Sequence, residues 1–350
     1  MEILGDQFEN AVSNASISGE KRQRAIAAHT EVRGLLEADS GLEEWGIDTI
    51  LIGSYARETG RYPGKDVDVF LRFKALSTFS NPTTIYDRVA RVLIAHYGLV
   101  EQGGRVTLQA RSAKIDFAAP GAQADLAFSV DAVPAVPWGE HWGIPNRDRD
   151  SWSEPSTRWV KTSPVLFGAE TDAVSTSASS PTVGARNAYK PVVRLLRQVR
   201  HTHLADAKPG GLYVEIAAYY AWKAGRVVGD SWAELLADSL REVAVEFERA
   251  ATAGLSDPIL GTPLRPALSE VQWQIASERF ALLASRAEQA LRADACAAAA
   301  IWREILGSND RGPVLPLPPG CGADGRPILG VAAVSVTGPA RARGFARSNG

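Results

Sequence analysis

Residues Asp66-Val67-Asp68-Val69-Phe70 alternate acidic and apolar side chains before the chain turns wholly apolar. A period of two is the pattern of an extended strand, not of a helix. Successive side chains leave a strand on opposite faces, so Asp66 and Asp68 share one face while Val67 and Val69 share the other. A chain carrying this segment must cover the valine face with core and leave two carboxylates at a surface or in a cleft. Two such carboxylates repel each other unless a cation lies between them. Hard oxygen ligands of this kind suit Mg²⁺ bound together with substrate phosphates. Taken alone, the segment also reads as a half-exposed strand with a solvated polar face, because short motifs match often by accident.

The flanking sequence adds to the pair. Ile47 to Ile52 is a short apolar run ending at Gly53, and Gly53-Ser54-Tyr55-Ala56-Arg57-Glu58-Thr59 follows. This predicts a strand, a turn and a short helix starting near Ser54, with backbone N–H groups and the Ser54 hydroxyl available to phosphate oxygens. Gly53 has no Cβ, so the backbone can approach a ligand closely. A third acid, Asp131, ends another apolar run in Phe128-Ser129-Val130-Asp131-Ala132-Val133-Pro134-Ala135, where a neighbouring strand can bring it beside Asp66 and Asp68.

The rest of the chain changes character near Gly184. Before it, residues 1–19 are polar and mixed, Glu20 to Asp39 carries apolar positions at helical spacing, and Asn81 opens a second helical pattern to about His96. Val106 to Ala110, Ala113 to Phe117 and Leu126 to Val133 read as strands. Pro134 to Pro164 is rich in Pro and Trp and reads as an irregular packed segment, with Trp138, Trp142, Trp152 and Trp159 expected between lobes; Thr171 to Thr182 reads as a mobile Ser/Thr-rich loop. After Gly184, helices are predicted over 186–203, 211–225, 231–251, 269–293 and 295–306. The expected organisation is a mixed-sheet lobe over 1–183, a helical lobe over 184–307 and a Pro/Gly-rich tail over 308–350 with little core of its own.

Charge and cysteine usage narrow the function classes. Lys plus Arg is 38 against 40 Asp plus Glu, so there is no global basic excess to capture long nucleic acid. The two cysteines, Cys296 and Cys321, belong to no C-x-x-C pair or Cys/His cluster. A disulfide scaffold and a zinc ribbon are therefore not expected, Cys296 reads as a small buried hydrophobe, and a reducing compartment is the simplest reading. The first ten residues lack an apolar signal-like core, and the longest apolar run, Ala295 to Trp302, is too short to span a bilayer. The expectation is a cytoplasmic protein with no membrane partner.

The Gly-Ser turn, the Asp-x-Asp-Val-Phe strand and the Val-Asp-x-Val-Pro-Ala segment together resemble the nucleotidyltransferase superfamily of DNA polymerase beta type. More narrowly they resemble the bacterial CD-NTases, relatives of animal cyclic GMP-AMP synthase and oligoadenylate synthase. Tyr189-Lys190-Pro191-Val192-Val193-Arg194-Leu195-Leu196-Arg197 is similar to the family's spine helix, Gly211 to Trp222 to the helix after it, and Ser256-Asp257-Pro258 to a later Asp-Pro loop, so the likeness runs over roughly residues 20 to 307. The resemblance implies an α+β, bilobed nucleotidyltransferase with its active site between a mixed-sheet lobe and a helical lobe. It implies that Gly53 and Ser54 hold a triphosphate, and that Asp66, Asp68 and Asp131 hold two Mg²⁺ ions, with Mn²⁺ as an alternative. Asp131 would also stand near the attacking hydroxyl. The implied reaction is in-line attack of a ribose hydroxyl on the α-phosphorus of an NTP such as ATP, releasing pyrophosphate. Repetition and ring closure would give a cyclic di- or trinucleotide, in the family an antiphage alarm signal (CBASS) read by a separate effector protein. Two departures stand out: position 197 is Arg where relatives usually have Lys, and Gly211-Leu212 replaces a hydroxyl or aromatic residue. The zinc module with which the animal enzyme grips DNA is missing, so no DNA activator is expected.

Other residues carry weaker readings. Lys190, Arg194 and Arg197 recur at spacings of four and three on one helix face, which fits either a solvated basic face or phosphate contacts by Arg194 and Arg197. Arg57 follows the Gly-Ser turn and either steadies the loop or touches phosphate. His201 and His203 read as a solvated helix-end pair, and Glu215 as a buried, paired acid of structural value. Gly350 at the end of a flexible tail is compatible with conjugation by the ubiquitin-like transfer found in some operons of the family, and equally with a plain unstructured end. Two other functions fit: a nucleotidyltransferase that modifies a protein, an RNA end or a small molecule, and a degenerate nucleotide-binding scaffold.

Overall fold

The computed structural model describes residues 4–64, 66–118 and 124–328. Its elements run α1 (Gly5–Asn14), α2 (Gly19–Glu37), α3 (Ser40–Glu43), β1 (Ile47–Ile52), α4 (Gly53–Ala56), β2 (Asp66–Phe73), α5 (Pro82–Tyr97), β3 (Val106–Leu108), β4 (Ala113–Phe117), β5 (Phe128–Trp138), β6 (His141–Pro145), β7 (Trp159–Thr162), α6 (Pro164–Thr176) and the short pair β8 (Thr182–Val183) and β9 (Arg186–Asn187). Helices α7 (Tyr189–Leu204), α8 (Gly211–Lys223), α9 (Trp232–Ala253), α10 (Glu270–Arg292) and α11 (Ala295–Leu306) follow, then β10 (Ser308–Asn309) and β11 (Gly312–Pro313). This is the expected α+β architecture, a mixed sheet followed by a helical half.

The sheet runs β1-β2-β5-β4-β3, with β6 and β7 continuing from the far end of β5. β2 and β5 are parallel, while the β1–β2 and β4–β5 pairs are antiparallel. One face of β2 and β5 turns Val67, Val69, Val130 and Ala132 into a core that α2 and α5 cover with Val32, Leu36, Ile85 and Leu93. The alternation in the sequence thus forces Asp66, Asp68 and Asp131 onto the uncovered face. A second, larger core gathers α7 to α11 around Leu195, Ile216, Leu236, Phe247 and Phe280.

Four sequence expectations are corrected. Pro134 to Pro164 is not irregular: β5 runs on through Pro134 to Trp138, and β6 and β7 extend the sheet. Pro134 falls between the last β4 partner, Ala132, and the first β6 partner, Val136, the kind of gap in which a strand tolerates a residue without an N–H. The tryptophans pack within this sheet lobe, Trp142 against Phe70, Trp152 against Tyr86 and Trp159 in the first core. Only the first half of the expected loop from Thr171 to Thr182 is helix: α6 runs to Thr176 and buries Phe167, Thr171 and Ser175 at spacings of four, while 177–181 are irregular. Residues 5–14 form a helix whose Phe8 packs edge-on against Trp302 in the helical core.

The fourth correction concerns the tail and the cysteines. Val314 and Leu315 are buried, and Cys321 is disulfide-bonded to Cys296, so residues 308–328 are strapped back onto α11. A separation of 25 residues hides such a pairing, because only the path of the chain brings the two Cα atoms to 5.2 Å. Cys296 is therefore not the free apolar residue that its alanine-rich helix suggests. The basic stretch 341–347 and Gly350 lie outside the described residues. Among the described residues no helix is long and apolar enough to cross a membrane.

Candidate active site

The three acids converge. The parallel register pairs Asp68 with Asp131 and Asp66 with Ser129, whose hydroxyl donates to Asp66 Oδ1 at 2.8 Å. On the other side of β5, Lys114 of β4 stands opposite Asp131 and pairs with Asp116 at 3.0 Å. Asp131 Oδ1 is buried without a hydrogen-bond partner. Burial, and then the charges of Asp68 and Asp66, push the Asp131 carboxyl up to about 7. Burial and the charge of Asp66 raise Asp68 to about 6. Among the described residues no three His, Cys, Asp or Glu side chains are drawn together tightly enough to form a ready-made metal cage. The carboxylates are adjacent and short of positive charge, and the orphaned Asp131 oxygen marks where a cation fits the donor set.

The turn after β1 is built against the same acids. Ile52, the last residue of β1, pairs with Asp68, and the chain then bends at Gly53 with φ of +72°. A Cβ at Gly53 would come within 1.9 Å of Asp68 Oδ2, so only glycine lets the turn lie over this carboxylate. The Ser54 carbonyl accepts the N–H groups of Thr59 and Gly60, both at 2.9 Å, and closes the loop on itself.

A cleft of about 1080 Å³ opens above this surface, lined by Gly53, Ser54, Asp66, Asp68 and Asp131 on the sheet side and by Arg197, Arg200, His201 and Gly211 on the helical side. Glu215, fully buried, joins the two sides: it accepts Arg57 Nε at 2.7 Å and Nη2 at 3.0 Å, Thr59 Oγ1 at 2.7 Å and Arg197 Nη1 at 3.0 Å. Burial works to raise its carboxyl, but the two guanidiniums outweigh it and hold the group below the ordinary range.

The expected arginine contacts therefore divide. Arg197 lines the cleft, anchored by Glu215. Arg57 also touches the cleft, but it is buried, bidentate on Glu215 and stacked over Phe167 at 4.8 Å, as the loop-steadying reading has it. Arg194 is not among the lining residues and gives its Nη1 to the Glu58 carbonyl at 2.7 Å. Lys190 pairs with Glu58 and Asp172. His203 meets the Ile305 carbonyl at 2.9 Å while His201 faces the cleft. Sequence reasoning missed Arg61, Arg111, Arg147 and Arg200 in the lining. Arg200 stands three residues after Arg197 on α7, a spacing the sequence offered, while Arg61, Arg111 and Arg147 lie in irregular stretches that only the fold gathers.

No family model matches the chain, and no curated protein matches it. Solved structures do. The CD-NTase CdnG of Bradyrhizobium diazoefficiens, solved in complex with GTP, is 18% identical, with a TM-score of 0.66 over 90% of this chain and 97% of that one. CdnC of E. coli MS115-1, solved with ATP, is 15% identical, with a TM-score of 0.60 over 87% of this chain and 98% of that one. The apo form of Vibrio cholerae DncV is 13% identical, with a TM-score of 0.54 over 86% of this chain and 77% of that one. The chain has the fold of these bacterial CD-NTases along nearly its whole described length.

Proposed function

We propose that this chain is a metal-dependent nucleotidyltransferase that joins nucleoside triphosphates into a cyclic di- or trinucleotide. The observation that carries the reading is the in-register convergence of Asp68 and Asp131, with Asp66 beside them, under a Gly-Ser turn at the floor of a nucleotide-sized cleft. The neighbours that share the fold and were solved with GTP or ATP support the same substrate class.

In this reading Asp66, Asp68 and Asp131 hold two Mg²⁺ ions, which supply charge neutralisation at the phosphates and lower the pKa of a bound hydroxyl. The Gly53-Ser54 backbone and the Ser54 hydroxyl take phosphate oxygens of the donor nucleotide. Arg197, fixed by Glu215, presents its fork to the same phosphates from the helical side. Asp131, whose carboxyl is raised, stands where it can accept the proton of the attacking ribose hydroxyl. Apart from these proton and charge roles, the protein's work is positioning. The proposal extends to an antiphage signalling role with the product read by a separate effector protein, as the sequence resemblance implies.

The test is incubation of purified protein with labelled ATP, GTP, CTP and UTP and Mg²⁺ or Mn²⁺, followed by phosphatase. A small phosphatase-resistant product of cyclic mass supports the proposal. Label on protein or RNA would replace it with transfer to another acceptor, and bound but unchanged nucleotide would replace it with a scaffold.

A further inference from the structure

The two cysteines hold down a part of the chain that otherwise has little grip. After α11 the backbone turns at Gly307 and returns as a strap through β10 and β11. The root of this strap is fixed: buried Gln198 of α7 gives Nε2 to the Leu306 and Ser308 carbonyls at 3.0 and 3.2 Å. Val314 and Leu315 then sink into the helical core. Beyond them, among residues 316–328, only Cys321 is buried. This end folds into a small hairpin, with the Gly322 N–H on the Arg326 carbonyl and the Ile328 N–H on the Gly320 carbonyl, both at 2.7 Å. Gly325 rests on α11, where a Cβ would stand 3.0 Å from Ala300 Cβ. With so little apolar burial, the bond from Cys321 to Cys296 is the main fastening of the hairpin.

Between its two ends the strap presses on the wall of the cleft. Arg311 lies over the Tyr62 ring at 3.6 Å and donates to the Ser16 carbonyl at 3.2 Å. The Tyr62 N–H bonds the Ala15 carbonyl at 2.8 Å, and its hydroxyl donates to Asp125. Ile17, Arg61, Pro63 and Gly64, the neighbours of these groups in the chain, line the cleft. One element of the helical half therefore bears on the sheet-lobe wall, and the ring formed by α11 and the strap is closed only by the disulfide.

We propose that the Cys296–Cys321 bond is a redox latch on the cleft. Closed, it holds the strap and Arg311 against the Arg61–Gly64 wall. Open, it lets residues 316–328 lift from α11 and slackens that wall. The reductant is a cellular dithiol. One of its thiolates attacks a cysteine sulfur, the Cys296–Cys321 bond breaks, and a mixed disulfide and one cysteine thiolate form. The second thiol of the dithiol then displaces the other cysteine. Two electrons and two protons pass to the pair, and the reductant leaves as its own disulfide. A small disulfide such as oxidised glutathione reverses the exchange. The effect on nucleotide binding rests on the nucleotidyltransferase reading above, whereas the lifting of the hairpin does not.

The test compares the full chain in oxidised glutathione and in dithiothreitol. Hydrogen exchange is followed by mass spectrometry, and α,β-methylene analogues of the four NTPs are titrated calorimetrically with Mg²⁺. Opening the bond should speed exchange over 316–328 at least about tenfold, with a smaller rise over 58–64, and weaken nucleotide binding roughly fivefold or more. Cys296→Ser/Cys321→Ser should behave as the open form in both buffers. Arg311→Ala should keep the exchange difference over 316–328 and lose the redox difference in nucleotide affinity. A chain that forms no bond in oxidised glutathione, or whose exchange is the same in both buffers, overturns the proposal. So does an affinity that ignores the state of the bond, which would make the disulfide a staple only. If the serine variant melts early, the reduced parent decides by the same criteria. A redox-dependent hairpin and affinity in a chain that forms no product would leave the latch standing and sink the transferase reading. Product formation indifferent to the bond would do the reverse.

Discussion

The Asp66–Asp68–Asp131 set lines the cleft and Glu215 is buried behind its arginines Arg57 and Arg197, and their surroundings treat these carboxylates in opposite ways. Glu215 has no solvent exposure, accepts four hydrogen bonds and is held below the ordinary carboxylate range by Arg57 and Arg197. The aspartates crowd one another, Asp131 keeps a buried oxygen with no partner, and burial and mutual repulsion carry Asp131 to about 7 and Asp68 to about 6. A buried charge is tolerated when the protein neutralises it and is costly when it does not. Glu215 is therefore complete as it stands and works as a strut between the Gly-Ser loop and the helical half. The aspartates carry no such compensation, and in the reading proposed above a cation would supply it.

The contrast predicts opposite responses to mutation, and the largest effect is on turnover. Asp66→Asn together with Asp68→Asn should lower product formation by more than about a thousandfold, the scale of losing charge stabilisation at a reacting phosphorus. Its Tm should hold or rise, because a repulsive pair is removed. A clear fall in Tm would put the aspartates in the same class as Glu215 and break the distinction. Glu215→Ala should do what the aspartate variant does not: leave Arg57 and Arg197 facing each other without a counter-charge and cost about 3–5 kcal/mol in chemical denaturation. Glu215→Gln, which keeps the shape and an acceptor, should cost visibly less.

Acidity gives a finer test of the same difference. Asp131 binds its proton more tightly folded than unfolded, so the native state is favoured at low pH and loses that advantage as pH rises through about 7. The metal-free protein should therefore be less stable at about pH 8 than at about pH 5 by something of the order of 1–2 kcal/mol from this group, allowing for screening. Asp131→Asn should remove most of that slope. Mg²⁺ added at about pH 8 should raise the Tm of the parent and leave the Asn variant nearly unmoved. Glu215, with its carboxyl lowered, has the opposite sign: its contribution is lost only as pH falls below the ordinary carboxylate range. A parent whose thermal stability ignores both Mg²⁺ and pH over this window would mean that the aspartates are not short of positive charge.

Sequence reading reached one of these regions more fully than the other, for a physical reason. Asp66, Asp68, Gly53 and the core-facing valines sit on a strand and a tight turn, where period and glycine chemistry act over a few residues. Asp131 was legible because it ends an apolar run, and the parallel register then places it opposite Asp68. Glu215 could be picked out as the one acid of an apolar helix, but its partners Arg57 and Thr59 stand 158 and 156 residues away, and no local rule pairs them. The continuation of β5 past Val133 and the strands β6 and β7 were hidden by proline and tryptophan, which dominate composition without preventing a strand next to an unpaired edge. Helix α6 was hidden because part of its buried stripe is Thr171 and Ser175 and not large apolar residues. The Cys296–Cys321 bond and the Arg111 and Arg147 loops depend on chain path alone.

The smallest effect concerns Arg197, which lies between the two regions: it is bonded to Glu215 and feels the charge of Asp68. Gly211, the first residue of α8, packs under it, and a Cβ there would stand 3.2 Å from Arg197 Nε and Nη2. The guanidinium would have to yield by a few tenths of an ångström, and Glu215 limits the direction in which it can do so. Gly211→Ala should therefore raise KM for the donor nucleotide about two- to fivefold while kcat changes little, the pattern of a displaced phosphate contact whose loss weakens ground and transition states alike. Alanine is the better helix former by about 1 kcal/mol, so stability should hold or rise slightly. Steady-state kinetics at fixed Mg²⁺ measures the split. An unchanged KM would show that Arg197 serves Glu215 alone and that the strut does not reach the substrate.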